Sequence, residues 1–131
     1  MKGSWPKVQA SVTTTFTATH SLPLIGVAEP HEHEYRVTAG WHHEINPQNG
    51  CTDTVQSMRT DLEEVVTRLR GKHLNDVLPF PPTAEIVALW ILAQLTAEWS
   101  FVEVAAYGDF AVRAEGDVNR GRWANLFRTR A

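Results

Sequence analysis

A single cysteine, Cys51, in 131 residues excludes an internal disulfide framework. Excess positive charge is also missing: twelve Lys and Arg stand against fifteen Asp and Glu, and the net charge of -3 argues against a dedicated nucleic-acid binder. Long apolar runs are lacking too, since the longest, Ile86 to Ala93, falls far short of the ~20 residues of a membrane span. Met1-Lys2-Gly3-Ser4-Trp5-Pro6 holds no apolar run of signal-peptide length, so cytoplasmic residence without a membrane partner is the default expectation. What is present, 43% hydrophobic and 21% charged residues, suits one globular domain over residues 1–131 with a small-molecule partner. A chain this long buries roughly two thirds of the surface its unfolded state exposes, so a metal must be argued from ligands and not from the need for a staple.

From Val8 to His20 the sequence alternates with period two, which predicts a half-buried strand with Val12, Phe16, Ala18 and His20 on one face. Ser21 to Pro30 reads as a loop, and His31 to His43 resumes the alternation as a second, antiparallel strand. Asp53, with Gln56 three positions on, predicts a helix cap, and Val55, Met58, Leu62, Val65, Val66 and Leu69 follow at helical spacing up to Gly71. Glu64 and Arg68 are spaced to pair on that helix's outer surface. Pro81-Pro82-Thr83 opens a second helix, Ala84 to Ala97, with so little polar face that burial on two sides is expected. Gly108-Asp109 fits a two-residue hairpin between two short final strands. The expected architecture is α+β in the order β-β-α-α-β-β, and the Arg-bearing tail, with Arg120, Arg122, Arg128 and Arg130, reads as a solvated terminus.

Residues i and i+2 of a strand project from one face about 6–7 Å apart, so His31 and His33 can aim at a common ion while Glu32 points away. If the first two strands pair, His20 joins them. Three imidazoles with a fourth position open are the donor set of catalytic zinc. The alternative is that His31 and His33 are exposed strand residues and His20 a satisfied core histidine. His42 and His43 face opposite sides of their strand and are read as surface or supporting groups. A cupin site also uses His-x-His, but it belongs to an all-β chain, and this one inserts two helices.

Several segments together resemble the 6-pyruvoyltetrahydropterin synthase and 6-carboxytetrahydropterin synthase family of the tunnelling fold. Phe16-Thr17-Ala18-Thr19-His20 resembles its Phe-x-Ala-x-His, and His31-Glu32-His33-Glu34-Tyr35 its His-Gly-His-Asn-Tyr. Met58-Arg59-Thr60-Asp61-Leu62, Leu74-Asn75-Asp76 and Pro82-Thr83-Ala84-Glu85 are similar to segments around its two helices. The resemblance implies a four-stranded antiparallel sheet with two helices on one face, and zinc (Zn2+) on His20, His31 and His33. It also implies a homo-oligomer, usually a hexamer of two trimers, and a reduced pterin ligand, 7,8-dihydroneopterin triphosphate in the family's enzymes.

The departures lie around the metal. The family's cysteine before His-x-His is absent, and Cys51 reads as an inert thiol and not a relocated nucleophile. Leu69-Arg70-Gly71 replaces the family's Leu-Asp-His, and the glutamate that anchors the pterin falls at about Ala106. Glu29-Pro30-His31-Glu32-His33 resembles the branch in which glutamate replaces the cysteine, which makes Glu29 a candidate general base and His73 a candidate proton donor. Thr83 is a helix cap by position and a ligand contact by resemblance. The expectation is zinc-dependent lyase chemistry on a reduced pterin or related ligand, the alternative a non-catalytic homologue that binds zinc and a pterin-like molecule.

Overall fold

A computed structural model describes residues 5–52, 55–116 and 120–128, except the side chain of Arg120. The expected Asp53 cap and Arg130 lie outside these residues. Strands β1 (Val8–Leu22), β2 (Val27–His43), β3 (Phe101–Tyr107) and β4 (Phe110–Glu115) form one antiparallel sheet in chain order. Helices α1 (Val55–Thr67) and α2 (Ala84–Gln94) connect β2 to β3.

Period-two alternation sets the register. Phe16 lies opposite Tyr35, and their rings stack at 4.8 Å and 11°. Val12, Ala18, Val37 and Ala39 are buried in the same core. Further along, Gly40 passes so close to Ala10 that a Cβ there would overlap the Ala10 carbonyl oxygen, so only glycine permits the approach.

The expected Ser21–Pro30 loop is mostly strand. A 3-10 turn, Pro23–Ile25, ends at Gly26 with φ 86°, and the Gly26 N–H donates to the Pro23 carbonyl. The ladder slips between the pairs His20–His31 and Leu22–Val27, so Ser21 alone faces Ala28, Glu29 and Pro30. Proline lacks an N–H for the ladder and is accommodated at such a bulge, which is why its composition reads as loop.

Helix α1 packs on β1 through Met58, Leu62, Val65 and Val66, while Val55 is exposed. Arg68 does not mirror the expected pair with Glu64: its guanidinium lies 5.4 Å over the Trp90 ring and donates to Gln94. The glutamate one position earlier, Glu63, accepts from Arg70 and from Thr14 instead.

Helix α2 is buried on two sides, as its composition predicts, with β3 and β4 on one and a third helix, α3 (Arg120–Arg128), on the other. It ends at Gln94, three residues before the expected Ala97. Helix α3 corrects the solvated-tail reading. Ala124 and Phe127 are buried, and Phe127 meets Phe80 edge-on at 5.3 Å. Arg128 donates to the Ala93 carbonyl at 2.6 Å, and Gln94 donates to the Phe127 carbonyl at 3.3 Å, so the two helix ends satisfy each other. Arg122 and Arg128 are exposed as expected, and the run of arginines hid an apolar face only two residues wide.

Candidate metal centre

The β1–β2 pairing brings His20 opposite His31, and His33 lies one strand repeat further on the same face. Their ring centroids are 4.5, 5.1 and 4.7 Å apart, and one nitrogen from each falls within a 4.8 Å set. His20 is buried; His31 and His33 are half-buried.

Hydrogen bonds fix which nitrogens are free. Nδ1 of His20 lies 2.8 Å from the Pro82 carbonyl, which can only accept, so that nitrogen carries the proton. Nδ1 of His31 donates in the same way to the Glu29 carbonyl at 3.2 Å. In neutral rings both Nε2 atoms then hold lone pairs, and they face each other at 3.0 Å. Two acceptors cannot bond to each other. A cation between them satisfies both, and zinc with nitrogens at ~2.0–2.1 Å in tetrahedral array places its ligands about 3.3 Å apart, close to the observed spacing. The donor set fits zinc.

Burial favours the neutral form of two of these rings. Burial pushes His20 below the usual 6.5, opposed by the Pro82 hydrogen bond and reinforced by His31, His33 and His73. Burial and then His31 lower His33 likewise. Behind them Tyr35, whose hydroxyl is 3.3 Å from His20 Nδ1, is pushed up to about 12 by burial and by Tyr107, so it stays a neutral phenol.

Neighbouring segments hold the trio in place. Asn75 clasps the bulge: its amide donates to the Ser21 carbonyl and its oxygen accepts from the Ser21 N–H, both at 2.9 Å. The Leu-Asn segment thus acts as a strand partner for the residue after His20. Thr83 caps α2, its hydroxyl accepting from the Ile86 N–H at 3.2 Å, and the Pro82 carbonyl beside it orients His20.

A cleft of about 410 Å³ opens on the trio, bordered by Leu22, Ile25, Val27, Thr83, Glu85, Ala106 and Tyr107. The other sequence candidates sit around it. The carbonyl of Glu29 reaches the trio while the residue itself is exposed. His73 runs beside β1, its Nδ1 2.9 Å from the Thr19 hydroxyl, close enough to influence His20. Cys51 is exposed in the turn after β2, beyond the strand end opposite His31, roughly 40 Å along the strand. His43 is buried and stacked on Trp41 at 4.4 Å, not a surface group, because it shares strand parity with the buried Val37 and Ala39. Sequence reading missed Tyr107 and Glu85 as cleft residues; the hairpin signal and the Pro-Thr-x-Glu segment were the available cues.

An antiparallel sheet backed by helices, with three convergent histidines beside a capped helix start, defines an α+β protein with a donor set able to hold a metal ion. A family model described as 6-pyruvoyl tetrahydropterin synthase matches residues 9–111, and the chain belongs to that family. The solved structure of Caenorhabditis elegans 6-pyruvoyl tetrahydropterin synthase superimposes with a TM-score of 0.76 at 16% identity, covering 86% of this chain and 97% of that one, which shows the shared fold. No curated protein sequence matches the chain significantly. The fold is therefore the tunnelling fold that the sequence motifs implied, and membership places the chain among tetrahydropterin-related proteins.

Proposed function

We propose that the protein is a zinc-dependent, lyase-type enzyme acting on a reduced pterin or a related ligand, working in the cytoplasm as a homo-oligomer. The observation that carries the reading is the pair of opposed Nε2 atoms on His20 and His31, 3.0 Å apart in the lining of the cleft. His20, His31 and His33 would hold the ion. The chemistry such an ion supplies is Lewis-acid polarisation of hydroxyl and carbonyl oxygens. Glu29, on the bulge two residues before His31, would serve as general base towards a ligand carbon, and His73, held by Thr19, would serve as proton donor. The start of α2, with Thr83, contributes N–H and hydroxyl groups for orienting the ligand.

A second reading, a homologue that binds zinc and pterin without turnover, is favoured by one feature. Ala106 lines the cleft where the resemblance implies a glutamate anchor. One series of measurements separates the two. Zinc-supplemented protein is expected to carry about one zinc per chain, and His31→Ala to retain less than a tenth of it. Incubation with 7,8-dihydroneopterin and its triphosphate, followed by chromatography, is expected to yield product, with Glu29→Gln lowering kcat at least ~100-fold. Binding without product selects the second reading; full turnover by Glu29→Gln removes Glu29 from the role.

A further inference from the structure

The cleft beside the trio has an aromatic wall that the proposed chemistry does not use. Tyr107 is 56% exposed, yet its plane is fixed on two sides. Its ring sits 5.7 Å from His33, tilted by 37°, and stacks on Phe110 at 5.5 Å and 12°. The two residues pair directly across the β3–β4 turn, Tyr107 opposite Phe110, so the hairpin sets one ring against the other. An exposed, pre-ordered aromatic face next to a metal site offers a planar ring a stacking partner at little entropic cost.

The rest of the lining is mostly apolar, with Thr83 polar and Glu85 acidic. Leu22, Ile25, Val27 and Ala106 supply its apolar surface. Among the described residues bordering the cleft there is no lysine or arginine. Polyphosphate recognition relies on such cations, and a phosphate beside Glu85 meets a like charge. At the start of α2 the Ile86 N–H is taken by Thr83, and Glu85 in the first turn offsets the helix dipole, so the N–H groups left there suit a neutral polar group better than a polyanion.

We propose that this cleft takes the dephosphorylated form of a heteroaromatic ligand, its planar ring stacked on the Tyr107–Phe110 shelf and its uncharged, hydroxylated side chain turned towards the histidines. The proposal rests on the reduced-pterin reading and narrows it. It differs from the triphosphate that the family resemblance implies.

The test titrates zinc-loaded protein with 7,8-dihydroneopterin and, separately, with its triphosphate, followed by calorimetry. Wild type is expected to bind the unphosphorylated form at least ~10-fold more tightly. Tyr107→Phe should stay within about twofold of wild type, while Tyr107→Leu weakens binding at least ~10-fold with its zinc content unchanged. Phe110→Leu, which removes the support beneath the shelf, should weaken binding in the same direction and decides the matter if Tyr107→Leu does not fold. Equal or tighter binding of the triphosphate overturns the proposal and leaves the pterin reading standing. So does unaltered binding by both leucine variants. Wild type that binds neither form overturns both readings.

Discussion

The opposed nitrogens of His20 and His31 are held by acceptors on their far sides, and this makes proton count the variable that matters at the residue scale. His20, His33 and His43 are all lowered by burial from 6.5. In the unfolded chain these groups take up protons at about 6.5, whereas in the fold they resist doing so until a lower pH. The unfolded state therefore binds more protons between those two values, and stability rises with pH across that window. Metal-free protein is expected to show a urea midpoint that is flat above about pH 7 and falls steadily below about 6.5. A midpoint unchanged down to pH 5 would contradict the burial assigned to these rings. The trio itself was legible in the sequence, because strand periodicity places i and i+2 side chains together. Its tautomers were not, since they depend on Pro82 and Glu29 carbonyls whose positions only the folded backbone sets.

At the scale of elements, the start of α2 joins stability to the site. Thr83 caps the helix while the Pro82 carbonyl just before it orients His20. Thr83→Ala is expected to cost about 1 kcal/mol in chemical denaturation, with Thr83→Ser close to wild type. If the cap also keeps Pro82 in place, the alanine variant should hold zinc more weakly, which competition with a chelator would read. The order of the four strands and the first two helices was recoverable from period-two runs, helical spacing and turn dipeptides. The Ser21–Pro30 segment was not, because proline and glycine mark turns by composition, and here a bulge absorbs Pro30 within β2. Helix ends were equally opaque: Leu95 leaves the helix in an extended conformation although Thr96 and Ala97 do not forbid continuation.

Across the whole molecule, α3 closes the open side of α2, a role its charged sequence concealed. Only Ala124 and Phe127 are buried, with Trp123 partly so, too few positions to show a convincing period among four arginines. Phe127→Ala is expected to destabilise the fold by about 3 kcal/mol, lowering the thermal midpoint by roughly 10 °C; a loss under about 0.5 kcal/mol would mean that α3 is only loosely attached. Among the described residues, no helix is long and apolar enough to cross a membrane.

The segment after α1 lies along the free flank of β1: the Gly71 N–H donates to the Thr17 carbonyl, the Thr19 N–H donates to the Lys72 carbonyl, and Arg70 donates to the Thr15 carbonyl. Among the described residues, that seam leaves Gln9, Ser11 and Thr13, which have the same parity, as the stretch of this flank still able to accept a neighbouring strand. Lateral growth of the sheet on this side is thus steered to the end remote from the imidazoles, and a docked strand there leaves the entrance of the cleft uncovered.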